Sequence, residues 1–285
     1  MAENAVSTPV NPLANYFRQP KIFIRLPSNG AFYTEGSLDA SQNGEYAVYA
    51  MTAKDELLFK TPDALMNGQA TVEVIKSCIP AIRDPWKMPT IDVDACLVAI
   101  RVATYGENME VQATCPECDH KNDYEFDLLQ YLGRLGNFEF HKDIAAEPLI
   151  VHIRPYNYQE TTKTAIRAME QQKIFDIVDD QNLSDEDKVA QFGSSFVKLT
   201  ELTVDVICGC IESIETPEGT VSDQTLIKEF INNAPADVFN KINDHVSQMK
   251  NDIENKTQDV VCESCNHQYK ISLTMDQANF FAVRS

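Results

Sequence analysis

The chain has 285 residues, 44% hydrophobic and 24% charged, with 43 acidic against 24 basic side chains and a net charge of −19. That composition supports a packed core in one large or two modest domains, and it disfavours general nucleic-acid binding because the field repels a phosphate backbone. No apolar run reaches the roughly 18 residues of a membrane span, so no membrane insertion is expected.

The opening residues MAENAVSTPVNPLANYF lack the basic and apolar regions of a secretory signal, which predicts a cytosolic chain. Residues 1–20 read as an extended arm, in which Tyr16 and Phe17 serve either as core staples or as partner anchors. Lys21–Leu26 reads as a strand stopped by the turn cluster Pro27-Ser-Asn-Gly30, and Glu45–Met51 as a second strand. Thr52 and Asp55 have the spacing of a capping box. Helical fragments follow at Pro62–Met66 and Thr71–Ile79, then a better helix at Thr90–Thr104, with Asp92 and Asp94 in its first turn and Gly106 beyond its end.

From about 155 to 255 the pattern is helical. Ser184 is a candidate N-cap for a stripe at Val189, Phe192, Phe196, Leu199, Leu202 and Val206, which Pro217-Glu-Gly219 interrupts. Ser222 is the candidate cap of a helix through Ile231, and Pro235 suits the first position of another. That last helix carries Phe239, Ile242, Val246, Met249 and Ile253 at steps of a helical face. Such stripes are expected in the core, with a groove for a partner helix as the lesser alternative.

Eight cysteines occur, and a disulfide framework does not suit a reducing compartment. Cys78, Cys96, Cys208 and Cys210 sit in apolar runs and read as small buried hydrophobes. The other four form two copies of one motif, CPECDH from Cys115 and CESCNH from Cys262, each flanked by β-prone residues. Two residues between thiolates let both sulfurs reach adjacent corners of a tetrahedron about 2.3 Å from a zinc ion. Asp119 and Asn266 follow the second cysteines, and their residue types tolerate the left-handed backbone such a turn needs.

Cys115, Cys118, Cys262 and Cys265 therefore predict a closed structural site of four thiolates, with zinc the expected cofactor and iron the runner-up. His120 and His267 are then surplus to the ligand set. Closing the roughly 140-residue loop between the pairs costs on the order of 5 kcal/mol. Structural zinc binding is worth about 10–16 kcal/mol, so the metal wins.

No P-loop, dinucleotide fingerprint, nucleophile elbow or zinc-protease helix occurs, and the five histidines are scattered. No enzyme, catalytic residue or small-molecule substrate is expected. The expected fold class is α+β, a mostly helical body with short β elements and a four-cysteine zinc ribbon formed by two distant hairpin knuckles. The expected domains are the arm at 1–20, an α+β region at 21–108, a discontinuous ribbon module at 109–130 and 257–283, and a helical insertion at 131–256.

KIFIRLPSNGAFY (21–33), MTAKDELLFKTPDALMNGQATVEVIKSCIPAI (51–82), DVDACLVAIRVATYG (92–106) and CPECDHKN from Cys115 resemble the T4-type bacteriophage baseplate protein family. The resemblance implies a structural or assembly component of the baseplate hub of a contractile tail. It implies other baseplate or tail proteins as partners, the host cytoplasm during assembly, and the virion tail thereafter. The zinc expectation rests on the cysteines themselves. The alternative function is a zinc-ribbon adaptor for nucleic acid or protein, against which Glu117, Asp119, Asp123, Glu125 and Glu263 offset Lys121 and Lys270.

Overall fold

The computed structural model describes residues 11–13, 16–61, 68–136, 140, 143–165, 172, 184–254, 257–272 and 280–281. Helices and small antiparallel sheets make it an α+β protein. The expected helical fragment at Pro62–Met66 lies outside the described residues.

One core forms around a central helix. Strand β1 (Pro20–Ile24) pairs antiparallel with β2 (Tyr46–Tyr49), as the two β-prone runs predict. Thr52 then caps α1 (Ala53–Phe59) in the reciprocal box with Asp55. Helices α2 (Gln69–Cys78) and α3 (Thr90–Tyr105) follow, and every residue from Ile91 to Ile100 is buried. A helix apolar on nearly all sides can only sit inside.

The arm is tied to this core at its inner end. Arg18 donates to the carbonyls of Ala50 and Ser77 and to Ser77 Oγ, and lies 3.4 Å from Asp55 Oδ2. Tyr16 and Phe17 are 84% and 57% exposed, so they are not core staples.

Asp92 does more than favour a helix start. It accepts hydrogen bonds from the backbone N–H and hydroxyl of Ser28 and from the Tyr33 hydroxyl, pinning the first turn cluster to α3. Burial pushes its carboxyl up to about 6, against those three donors, which favour the charged form. Because this folded value lies above the unfolded value of about 3.9, the group's stabilisation is fully present below about pH 4 and is lost as pH rises through about 6. Wild type is therefore expected to gain stability relative to Asp92→Asn as pH falls from about 7.5 to 5, by about 1.4 kcal/mol. Urea midpoints that keep a constant difference across that range would contradict this reading.

Two hairpins distant in sequence pack on the same core. Strands β3 (Asn108–Thr114) and β4 (Lys121–Asp127) form the first, and Asp127 caps the helix α4 (Leu128–Leu135) that follows it. The second joins β9 (Thr257–Val261) to β10 (Gln268–Ser272). Met109, Phe126, Val260 and Ile271, from both hairpins, are buried in one cluster with α3.

The segment predicted as a helical insertion contains a sheet as well. Strands β5 (Asp143–Ala146), β6 (Leu149–Ile153), β7 (Ile211–Thr216) and β8 (Gly219–Val221) lie in that order, each antiparallel to its neighbour. The Pro217–Glu218 break is thus a hairpin turn. Helices α5 (Asp185–Gly209), α6 (Gln224–Asn233) and α7 (Ala236–Glu254) complete a second core with Ile144, Val151, Ile211 and Ile214 of the sheet. Ser184 caps α5 as expected, but Asp223 rather than Ser222 caps α6, its carboxylate being better placed for two N–H groups.

The α7 stripe is core: Ile242, Val246 and Met249 are buried. The α5 stripe is not. Val189 and Phe196 are 73% and 64% exposed, and only the C-terminal end of the helix, at Ile207 and Cys208, enters the second core.

Candidate metal centre

Each knuckle is built by its own backbone before any metal is considered. In the first, Cys115 N–H donates to His120 O at 2.9 Å and Asp119 N–H to Cys115 O at 3.0 Å. In the second, Cys262 N–H donates to His267 O at 2.9 Å and Asn266 N–H to Cys262 O at 3.0 Å. Asp119 and Asn266 take φ values of 55° and 59°, the left-handed backbone anticipated from their residue types. The two loops are copies of one turn.

Packing of the hairpins then brings the four sulfurs together. Cys115 Sγ lies 3.7 Å from Cys265 Sγ, and Cys118 Sγ 3.7 Å from Cys262 Sγ. All four sulfurs fall within 4.8 Å of one another. A disulfide needs about 2.05 Å, so these are thiols facing each other rather than bonded pairs. A tetrahedron with metal–sulfur bonds of about 2.3 Å has edges of about 3.8 Å, and both cross-hairpin distances match it. The donor set and its spacing fit a tetrathiolate metal ion.

Polar contacts hold the two knuckles in register. The Asn122 side chain, 1% exposed, accepts from Glu263 N–H at 2.9 Å and donates to the Tyr269 hydroxyl at 3.3 Å. Tyr124 donates to Val261 O at 3.1 Å and meets the Tyr269 hydroxyl at 3.0 Å. These residues carry no signal in the sequence, because each is an ordinary strand residue whose partner lies far along the chain. The cysteines were legible, but the residues that align them were not.

Burial and electrostatics are uneven across the set. Cys115 and Cys262 are fully buried, and Cys118 and Cys265 are exposed. Burial alone would push the Cys262 thiol up, but N–H groups of Cys265 and Ser264, with the Asn122 amide, outweigh it and hold the thiol below its usual range. At Cys265 the His267 N–H favours the thiolate, yet the neighbouring sulfurs prevail and hold it up. Four crowded thiolates need a cation among them.

His120 and His267 bring their backbone carbonyls and N–H groups to the knuckles, and the His267 ring stacks on Tyr269 at 6.1 Å. Cys78, Cys96, Cys208 and Cys210 are all buried elsewhere. Among the described residues, no other group of three or more histidine, cysteine or acidic ligands gathers closely enough to hold a metal.

The model of the family described as T4 bacteriophage base plate protein matches residues 20–282. The chain belongs to that family. The match spans both cores and both knuckles, so the whole arrangement described above belongs to a phage baseplate structural component. No curated protein and no solved structure gives a significant match. Among the described residues of this base plate protein, no helix is long and apolar enough to cross a membrane.

Proposed function

We propose that the chain is a structural or assembly component of the baseplate hub of a contractile-tailed bacteriophage. The match to the baseplate family over residues 20–282 carries this reading. It works by contact with other baseplate and tail proteins, in the host cytoplasm during assembly and in the virion tail afterwards. It is not an enzyme and takes no small-molecule substrate. Mass spectrometry of purified tails tests this. The protein is expected in tails or in tail intermediates, and its absence from both would overturn the hub assignment.

Within that role, Cys115, Cys118, Cys262 and Cys265 hold one structural zinc ion. The 3.7 Å cross-hairpin sulfur distances support it. Residues 109–130 and 257–283 then form one discontinuous ribbon module, and 131–256 is an insertion whose ends the metal clips together. Protein purified without chelator is expected to contain one equivalent of zinc. Cobalt substitution is expected to give tetrahedral tetrathiolate absorption, and far less than one equivalent of metal would count against the site.

The net charge of −19 argues against the nucleic-acid adaptor. Negligible affinity for duplex DNA is expected at physiological salt. Micromolar binding with a steep salt slope would restore that alternative.

A further inference from the structure

The two hairpins leave a groove between them. It measures about 320 Å³ and is lined by Tyr124–Asp127 of β4, Gln258–Val261 of β9, and Gln130 and Arg134 of α4. Its walls are two strand edges. Cys115 N–H donates to His120 O, and Leu128 N–H donates to Glu107 O. By the alternation of an antiparallel ladder, the main-chain groups of Asn122, Tyr124 and Phe126 therefore face β3, and those of Asp123 and Glu125 face the groove. The same alternation, counted from Cys262 N–H on His267 O, turns Asp259 and Val261 toward the groove. Val261 O confirms the direction by accepting from Tyr124 across the gap, at 3.1 Å.

The lining has a sign and a period. Phe126 and Val260 are buried at its base, whereas Glu125, Asp127 and Asp259 are exposed on its rim. Arg134 is the only base among the described lining residues, and it is engaged, donating to Gln258 Oε1 at 2.7 Å and stacking over Tyr131. Four strand residues on each wall give a length of about 13 Å. An added strand there would alternate its side chains between the apolar base and the acidic rim.

We infer that this groove is a docking site for an extended segment of a partner protein, adding as a strand along the outer edge of β4. The segment carries Lys or Arg at alternate positions, facing Glu125, Asp127 and Asp259, and apolar residues between them. Main-chain pairing supplies affinity, and the charged rim supplies selectivity. The inference rests on the metal-joined reading of the hairpins for the width of the groove alone.

The test pans a display library of random peptides, about eight residues long, on the metal-loaded full-length chain. Selected peptides are then measured by fluorescence anisotropy. Enrichment of sequences alternating Lys or Arg with apolar residues is expected. The double variant Glu125→Lys/Asp259→Lys, both sites being exposed, is expected to bind them at least about tenfold more weakly while keeping its metal and its circular dichroism. No enrichment, selection of acidic or uncharged peptides, or binding unaffected by the double variant would each overturn the proposal. Stripping the metal separates the two readings. Binding that disappears with the metal supports the joined hairpins, and binding that charge reversal abolishes but chelation leaves intact keeps the groove and removes the metal from setting its width.

Discussion

Replacing Cys262 with serine is expected to release the metal and to loosen both hairpins, although the two are far apart in sequence. The change leaves three thiolates and a hydroxyl. Even the loss of a partner outside the ligand set costs about 10–100-fold in metal affinity, so at least a hundredfold loss is expected here. Hydrogen exchange is expected to rise around residues 110–128 as well as around 257–272. Cys118 Sγ sits 3.7 Å from Cys262 Sγ, and the Tyr124 hydroxyl donates to the carbonyl of Val261 in the other hairpin. The loosening stays local. Met109, Phe126, Val260 and Ile271 are buried with α3, so the hairpins keep an apolar footing when the metal leaves. Helices α5 to α7 have their own core and are expected to keep their protection. Exchange that rises only beside residue 262 would show that the knuckles do not share a metal. Incorporation into tails is expected to fall as well, because partners would meet a mobile surface.

Arg18→Ala is the second large effect. The guanidinium donates to the carbonyls of Ala50 and Ser77 and lies 3.4 Å from Asp55, whose side chain is only 4% exposed. Removing it leaves Asp55 a buried charge held by the hydroxyls of Thr52 and Ser77 and the Thr52 N–H. Breaking a fully buried pair costs about 3–5 kcal/mol. The Arg18 side chain is 29% exposed, which lowers the expectation to about 2–3 kcal/mol. Urea unfolding of the metal-loaded protein, followed by fluorescence of the single tryptophan, Trp86, measures it. Lysine is expected to recover only a small part, since an ammonium cannot reproduce the planar fork that reaches several acceptors at once. A loss under about 0.5 kcal/mol would mean that the socket only positions the arm.

The sequence by itself determined whatever is settled within a few residues. The Thr52–Asp55 box, the Ser184 cap, the left-handed turns at Asp119 and Asn266 and the buried stripe of α7 all follow from the local chemistry of hydrogen-bond donors, backbone sterics and helical period. The repeated cysteine motif was legible for the same reason, since the spacing that suits a tetrahedron lies inside each short loop. Local pattern misled where burial depends on what packs opposite. The apolar stripe of α5 has the spacing of a core helix, yet Val189 and Phe196 lie on the surface because only the helix's last turns meet the sheet. Strands β7 and β8 sat unrecognised inside a helical pattern because short apolar runs satisfy either period until a neighbouring strand decides. Only tertiary structure joined the two knuckles through Asn122, Tyr124 and Tyr269, buried Asp92 against Ser28 and Tyr33, and set the edges of β4 and β9 facing each other across an acidic groove. Each of those contacts pairs residues distant in the chain, and the energy that selects them comes from burial and pairing, which do not exist until both partners are in place.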